Sequence, residues 1–350
     1  MCEENELTND EQSELYEHYA FVVDKGQSPV RIDKYVTDKI EGASRNRIQN
    51  AADAGWILVN NIAKKSNYKV KPFDRISIVM PFERRGVEIL PENIPLDIIY
   101  EDNDLLVINK LSGMVVHPGH GNYSGTMVNA LAYHLRDNEN IDLEDERAGL
   151  LVHRIDKDTS GIIVVAKNLE TLKDLAQQFF NHTVERLYYA LIWGQFNQSE
   201  GTITGNIARS TKDRLRFQVV DNENVGKHAV THYKVVEDLG YVSLVQCKLE
   251  TGRTHQIRVH MTHTGHPLFN DERYGGNKIL RGTTFTKYKQ FIDNCFELVP
   301  HHFLHAAVLG FIHPRTKKQM HFEVDMPENM KMLLEKWRRY VGDREVGKGF

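Results

Sequence analysis

Cysteine is scarce in this sequence of 350 residues, which contains only Cys2, Cys247 and Cys295. Three scattered cysteines form no paired disulfide framework, and they fit a reducing compartment. Long apolar runs are also missing, since no stretch approaches the roughly 18 residues that a membrane span needs. No basic segment followed by an apolar one opens the chain. We therefore expect a cytoplasmic protein with no membrane partner.

Nucleotide-binding glycine motifs are absent as well. Gly119, Gly121 and Gly125 precede an apolar segment of helical character, but their spacing is not G-x-G-x-x-G, and no Gly-Lys-Ser/Thr follows them. The stretch is more typical of a glycine-rich loop that leads into a helix N-cap. We expect no nucleotide cofactor.

Charge is unevenly distributed along the chain. Residues 1–30 carry eight acids against one lysine, whereas residues 31–80 carry ten Lys/Arg against five Asp/Glu. An acidic terminus is most often a solvated, poorly ordered extension. A small basic module is typical of phosphate binding, although a capping domain with solvated charges is the alternative.

The basic segment has the pattern of a compact α+β module. Ile32, Tyr35, Val36 and Ile40 recur at helical spacing, and a second helix carrying Arg45 and Arg47 follows, capped by Ser44 and ended by Gly55. Two strands then flank a turn at Asn60-Asn61. The stretches "RIDK", "SRNRIQ" and "GWILVN" resemble the alpha-L RNA-binding domain, and this resemblance implies that Arg45 and Arg47 contact RNA.

The rest of the chain mixes strands with crossover helices. Strands are predicted in "LDIIYEDNDLLVINK", "GIIVVAK", "RLYYALIWG" and "VSLVQCKL", and helices in "TMVNALAYHL" and "ETLKDLAQQFF". Hairpin-like neighbours beside helices predict an α+β fold with a mixed, mainly antiparallel sheet. The predicted parts are an acidic tail (1–18), the basic module (19–81), a linker (82–95), a larger domain (96–330), and a C-terminal helix and tail (331–350).

The stretch "HRIDKDTSG", residues 153–161, concentrates charge just before a buried strand. Residue types alone leave three interpretations open: a capping turn, a divalent-metal site on Asp156 and Asp158, or a catalytic carboxylate held by basic partners.

A second stretch, "LETGRTHQIRVHMTHTGHPL", contains four histidines. On a helix capped by Thr254 and ended by Gly265, His255 and Arg258 would share one face, and the arginine would repel a metal ion there. A basic ridge facing a phosphate or a carboxylate fits this pattern better than a metal site.

Taken in order, "HRIDKDTSG", "RLYYALIWG", "LETGRTHQIRVH" and "FLHAAVLGFIHP" resemble the RluA-type pseudouridine synthases, most closely the RluD-like subgroup with an N-terminal alpha-L domain. The resemblance implies isomerisation of uridine to pseudouridine in structured RNA, with no metal or cofactor. It also implies that Asp156 is the catalytic aspartate, Tyr188 the active-site tyrosine and Arg258 the carboxylate-binding arginine. Asn270 and His302 depart from the family pattern, and Asn270 can replace glycine in a left-handed turn.

The chemistry explains these residue types. Breaking the bond between ribose C1′ and uracil N1 requires a carboxylate beside an oxocarbenium-like centre, and a bidentate arginine would keep that carboxylate ionised and aimed. Whether Asp156 attacks C1′ or removes the 2′ hydrogen stays open. Tyr188 offers a flat surface for an extruded base, or is simply a core residue. The predicted RNA contacts in this domain are His153, Arg154, Lys157, Arg253 and His255.

Large-subunit ribosomal RNA is the first candidate substrate, transfer RNA is the second, and we expect a monomer. Two rival functions are a non-catalytic RNA-binding or ribosome-assembly protein and a metal-dependent nuclease or phosphotransferase that uses Asp156 and Asp158.

Overall fold

The computed structural model describes residues 16–40, 45–80, 89–117, 122–136, 151–210, 213, 215–222 and 225–346. The chain divides into two units, residues 1–88 and 89–350. The predicted cap Ser44, the predicted turn glycines Gly119 and Gly121 and most of the acidic tail lie outside the described residues. Among the described helices, none is both long and apolar enough to cross a membrane.

The N-terminal unit packs two short helices against a small sheet. Ile32, Tyr35 and Val36 are buried on one face of the first helix, as their spacing predicts. Asn60 and Asn61 both have positive φ and form the predicted turn. The elements are β1 (Tyr16–Val22), α1 (Ile32–Lys39), α2 (Arg45–Asp53), β2 (Ile57–Val59), β3 (Ile62–Ala63) and β4 (Arg75–Met80). The strands form one sheet in the order β1-β4-β2-β3.

The larger unit is built on a ten-stranded sheet. Its strands are β5 (Ile98–Glu101), β6 (Leu105–Lys110), β7 (Ser160–Ala166), β8 (Glu185–Trp193), β9 (Glu200–Arg209), β10 (Phe217–Val220), β11 (Lys227–Asp238), β12 (Val242–Leu249), β13 (Leu304–Ile312) and β14 (Gln319–Glu323). They run in the order β10-β9-β11-β12-β8-β13-β7-β6-β5, with β14 on β13. Every named pairing is antiparallel except that of β13 with β7. The predicted mixed, mainly antiparallel sheet is therefore confirmed.

Five helices cover this sheet: α3 (Met127–His134), α4 (Leu169–Phe180), α5 (Gln256–His263), α6 (Thr286–Leu298) and α7 (Glu328–Val346). Thr126 caps α3, and its hydroxyl accepts a bond from the Asn129 backbone N–H. The predicted helix N-cap after the glycine-rich loop is therefore confirmed. Helix α7 buries Leu333, Leu334 and Trp337 in the same core as α6.

Two element bounds differ from the predicted parts of the chain. Strand β1 begins at Tyr16, inside the predicted tail, and α7 begins at Glu328, before the predicted C-terminal segment. Within the predicted linker, the Leu90 carbonyl accepts a bond from Asn129, and the Glu92 carboxylate accepts one from the Gly125 N–H. Residues 90–92 are thus bonded to the larger unit.

Candidate active site

The loop that carries Asp156 leads into β7 and is held by hydrogen bonds from the protein interior. Its turn is closed by a bond from the Thr159 N–H to the Asp156 carbonyl, 3.1 Å. Lys110 is 1% exposed and donates to the carbonyls of Leu111, Met114 and Lys157 at 2.8–3.0 Å. Burial lowers the pKa of this lysine to about 8. One buried ammonium group therefore ties the Asp156 loop to the segment after β6.

A close approach of two strands explains the glycine that ends the charged stretch. Gly161 has a φ of +111°, and a Cβ added there would lie 2.1 Å from the Ala306 carbonyl oxygen. It pairs with Ala306 where β7 and β13 run parallel. Glycine is required at this point because both the backbone conformation and the space exclude a side chain. The following strand is buried throughout, as predicted.

Arg258 lies between two carboxylates. Its Nη1 donates to Asp156 Oδ2 at 2.8 Å, while its Nε and Nη2 donate to the two oxygens of Asp271 at 2.7 and 2.9 Å. The predicted bidentate grip on Asp156 is therefore wrong, because the fork of the guanidinium is turned to Asp271. The side chain of Asp156 is 23% exposed, that of Asp271 is fully buried, and that of Arg258 is 7% exposed.

The surroundings of Asp156 keep it ionised. Burial acts to raise the pKa of Asp156, but its interactions with His255, Arg258 and His302 act in the opposite direction and prevail, so that the pKa lies below its ordinary value. Burial lowers the pKa of Arg258, but its bonds to Asp271 and Asp156 outweigh this effect and raise the pKa above its ordinary value. The site thus holds a charged carboxylate that faces a cleft.

His255 stands at the N-terminus of α5 in a left-handed conformation, with φ 55° and ψ 22°. The predicted cap at Thr254 is therefore misplaced by one residue, and His255 is not on the helical face that carries Arg258. The Nε2 atom of His255 lies 3.8 Å from Asp156 Oδ1, and its Nδ1 is 2.8 Å from the hydroxyl of Tyr274. When that hydroxyl donates to Nδ1, the ring proton is on Nε2 and faces Asp156.

A cavity of about 490 Å³ opens beside Asp156. This volume is in the range of small-ligand pockets. Tyr188 lines it from β8, is 8% exposed, and has a pKa raised by burial. Seven predicted site residues line this cavity, namely His153, Arg154, Asp156, Tyr188, Arg253, His255 and Arg258.

The remaining predicted residues of the site are placed differently. The Nε2 of His153 accepts the Val164 N–H at 3.1 Å, and burial lowers the pKa of His153 to about 3. His153 therefore supports β7 through Nε2, and its predicted contact with RNA stays a prediction. Lys157 is exposed and does not line the cavity. Arg154 is exposed at the cavity, and Arg253 donates from Nε to the His228 carbonyl at 2.9 Å.

Arg45 and Arg47 belong to α2 of the N-terminal unit. Asp33, which is fully buried, accepts bonds from Arg45 Nε at 3.1 Å and from Nε and Nη2 of Arg31 at 3.1 and 2.9 Å. The side chains of Arg31 and Arg45 remain 44% and 53% exposed. The buried carboxylate therefore aims two exposed arginines. The side chain of Arg47 is outside the described part of the chain.

Asp158 does not join Asp156 in a cluster of metal ligands. Within the described ranges, three or more ligand atoms converge within 4.8 Å only at Asp102, Asp104 and His313, none of which lines the cavity. The Asp104 carboxylate accepts two bonds from Arg315, and Asp102 accepts one from His313. Those ligand atoms are thus already bonded within the protein, while Asp156 is bonded to Arg258. The arrangement disfavours the divalent-metal interpretation of "HRIDKDTSG".

Sequence reasoning missed three residues that hold this site. Asp271 and Tyr274 both lie in "HPLFNDERYG", where attention fell on Asn270, whose φ of 58° confirms the left-handed turn. His302 is buried, and its Nε2 is 2.9 Å from the Thr159 hydroxyl next to the Asp156 turn. The sequence signal that could have indicated these residues was a carboxylate, Asp271, and a tyrosine, Tyr274, close to the left-handed turn at Asn270.

Comparison with known proteins identifies relatives of this chain. A family model described as RNA pseudouridylate synthase matches residues 104–263. An uncharacterized RNA pseudouridine synthase of Chlorobaculum parvum is 47% identical over 90% of this chain and 96% of its own length. The protein named ribosomal large subunit pseudouridine synthase D of Zymomonas mobilis is 39% identical over 87% and 93%.

A solved structure shares the fold. Human RNA pseudouridylate synthase domain containing 4 aligns with a TM-score of 0.51 and 21% identity over 69% of this chain and 92% of its own. With relatives this similar over nearly their whole length, the chain belongs to the RNA pseudouridine synthase family.

Proposed function

We propose that this synthase isomerises uridine in large-subunit ribosomal RNA. The Zymomonas relative, which carries that substrate in its name, supports this choice because the match extends over nearly all of both chains. A Blochmanniella relative of the same name is 34% identical over 91% of this chain. Transfer RNA is the alternative substrate. The monomeric state and the cytoplasmic location stay predictions.

The chemistry is assigned to Asp156, and the observation that carries this assignment is an ionised, partly exposed carboxylate in a cavity that is also lined by Arg154, Arg186, Arg253 and Arg258. Cleavage of the C1′–N1 bond develops positive charge on the ribose, which such a carboxylate stabilises. Asp156 acts either by attack on C1′ or by removal of the 2′ hydrogen. The base then turns and is rejoined through C5.

Tyr188 is assigned to the extruded base. Its ring borders the cavity from the strand next to β13, so that a uracil can stack on it after leaving the RNA helix. Because its pKa is raised by burial, the hydroxyl stays protonated at neutral pH. A protonated phenol cannot accept the C5 proton, so transfer of that proton to Tyr188 would require the hydroxyl first to lose its own proton. Arg258 is a positioning residue, because it bonds Asp156 and helps to keep the pKa of that carboxylate low.

The N-terminal unit is assigned to RNA binding as an alpha-L domain. Its described surface carries the arginines that Asp33 orients, and aimed guanidinium groups suit phosphate. Replacing Arg31 and Arg45 together by glutamine should flatten the dependence of RNA affinity on salt, because fewer counterions are released. An unchanged salt slope would speak against this assignment.

Mapping pseudouridine in total RNA tests the proposal. Cells that lack the gene should lose pseudouridine at defined positions of large-subunit ribosomal RNA, and a plasmid with the wild-type gene should restore it. A plasmid encoding Asp156→Asn should not restore it. Loss confined to transfer RNA or to another RNA would replace the proposed substrate, and unchanged total RNA would contradict the proposal.

A further inference from the structure

Arg186 is a buried cation at the wall of the cavity that holds Asp156. It precedes Tyr188 by two residues on β8, and side chains at i and i+2 of a strand point to the same face. Both side chains line the cavity, and Arg186 is 6% exposed. The mechanism described above does not use it.

The hydrogen-bonding capacity of Arg186 is largely unused. Among the described residues, Nη2 donates to the Glu250 carbonyl at 3.0 Å, and Nε has no acceptor. In the described part of the chain, the titratable groups that act on its pKa are Tyr188 and Arg253, neither of which is a carboxylate. The Phe179 ring, 5.5 Å away, supplies a cation–π contact. A buried cation without a counter-charge is unfavourable unless a ligand completes it.

The chain keeps space for this guanidinium. A Cβ added at Gly252 would lie 2.5 Å from Arg186 Nη1, and the backbone of Gly252 does not have a positive φ. Glycine is thus needed at this position because a side chain would collide with Arg186, and not because the backbone conformation requires it. The same glycine lines the cavity. The Nη1 edge of Arg186 therefore faces the space that a substrate enters.

We propose that Arg186 binds a phosphate that flanks the target uridine, and that Gly252 keeps the space for this contact. A phosphodiester supplies both the missing acceptors and the missing negative charge, whereas a uracil carbonyl supplies only an acceptor. The planar fork of arginine suits phosphate oxygens. This inference rests on the proposed entry of the target nucleotide beside Asp156, and it makes Arg186 a substrate-binding residue of that site.

The test pairs enzyme variants with neutral phosphates. The RNA is an oligonucleotide around whichever uridine loses its modification in cells without the gene, so that the outcome does not depend on the ribosomal assignment. Each phosphate beside that uridine is replaced in turn by a methylphosphonate. Binding and single-turnover pseudouridine formation are measured for the wild type, Arg186→Gln and Arg186→Lys. A methylphosphonate three nucleotides away serves as the substrate control.

One of the two methylphosphonate replacements should reduce RNA binding or the single-turnover rate of the wild type by roughly 10- to 100-fold, the size expected for a charge-assisted bond. The same replacement should change the values of Arg186→Gln by less than about 2-fold, because the contact is already lost in this variant. The effect on Arg186→Lys should lie between these two. Gly252→Ala, which displaces Nη1, should behave like Arg186→Gln.

Arg253→Gln is the matched control, since it removes a cation from the same cavity whose Nε is already bonded to a carbonyl. It should keep the full sensitivity to the methylphosphonate. Equal penalties in the wild type and Arg186→Gln would overturn the inference and make the residue a support for Glu250. The inference would also be overturned if Arg253→Gln lost its sensitivity to the methylphosphonate, or if neither replacement affected the wild type.

Discussion

Asp271 is the strongest test of how the site is held, because no reacting atom need touch it. Asp271→Asn keeps the shape of the side chain but removes the charge that receives the fork of Arg258. Arg258 would then keep Asp156 as its only carboxylate partner. Removing one partner of a buried ion pair lowers the free energy of unfolding by about 3–5 kcal/mol. We expect the lower end of this range because Arg258 keeps Asp156 as a second partner.

Two measurements follow from this number. A loss of about 3 kcal/mol should lower the melting temperature of the larger unit by about 6–12 °C. An arginine that is no longer aimed should also reduce the single-turnover rate by about 10- to 100-fold at a temperature where the variant is folded, since small displacements of catalytic groups are costly. RNA affinity should stay within about 2-fold, because Asp271 does not line the cavity.

A surface pair of the same geometry supplies the control. Arg338 donates from Nε and Nη2 to the two oxygens of Glu237 at 2.8 and 2.7 Å, but the two side chains are 42% and 29% exposed. Glu237→Gln should therefore cost about 0–1 kcal/mol and leave the rate unchanged. If Asp271→Asn has the melting temperature and the single-turnover rate of the wild type, the Arg258–Asp271 contact does not position the carboxylate of Asp156.

Three further changes separate the remaining assignments. Asp156→Asn should abolish pseudouridine formation without weakening RNA binding, whereas Asp158→Asn should lose far less; similar losses in both would favour the metal-dependent alternative. Arg258→Ala should raise the pKa of Asp156 and move the acidic limb of the pH-rate profile upward, and a limb that does not move would count against the pair. Because the pKa of Lys110 is lowered to about 8, the folded protein binds fewer protons there than the unfolded chain between that pH and about 10.5. Wild-type stability should therefore gain about 3 kcal/mol over that window relative to Lys110→Met, and parallel pH curves would refute this.

Local patterns predicted the elements well where one face is buried. The seven buried residues of β7 follow directly from their apolar run, and the turn at Asn60-Asn61 follows from two residues that tolerate positive φ. The order of the ten strands was not predictable in this way. It depends on contacts between distant segments, such as the parallel pairing at Ala306 that requires Gly161.

The site shows a similar division. The family resemblance brought Asp156 and Arg258 together, and they are in contact across 102 residues of chain. The partner that receives the fork of Arg258 was missed, because Asp271 follows a turn that lies 13 residues farther on and carries no catalytic signature. The packing of His153 was missed for a different reason, since its neighbours in sequence are charged but its ring is stacked on Phe179.

The true arrangement of Arg258 suits the reaction better than the predicted one. A guanidinium that gave its fork to Asp156 would occupy both oxygens of the carboxylate to which we assign the reaction. Here Asp271 takes the fork, Asp156 Oδ2 takes one bond, and His255 Nε2 lies 3.8 Å from Oδ1, beyond hydrogen-bonding distance. Asp156 is therefore charged and fixed in direction through one oxygen while the other stays available. That division holds for either mechanism, because attack on C1′ and removal of the 2′ hydrogen both require one free carboxylate oxygen.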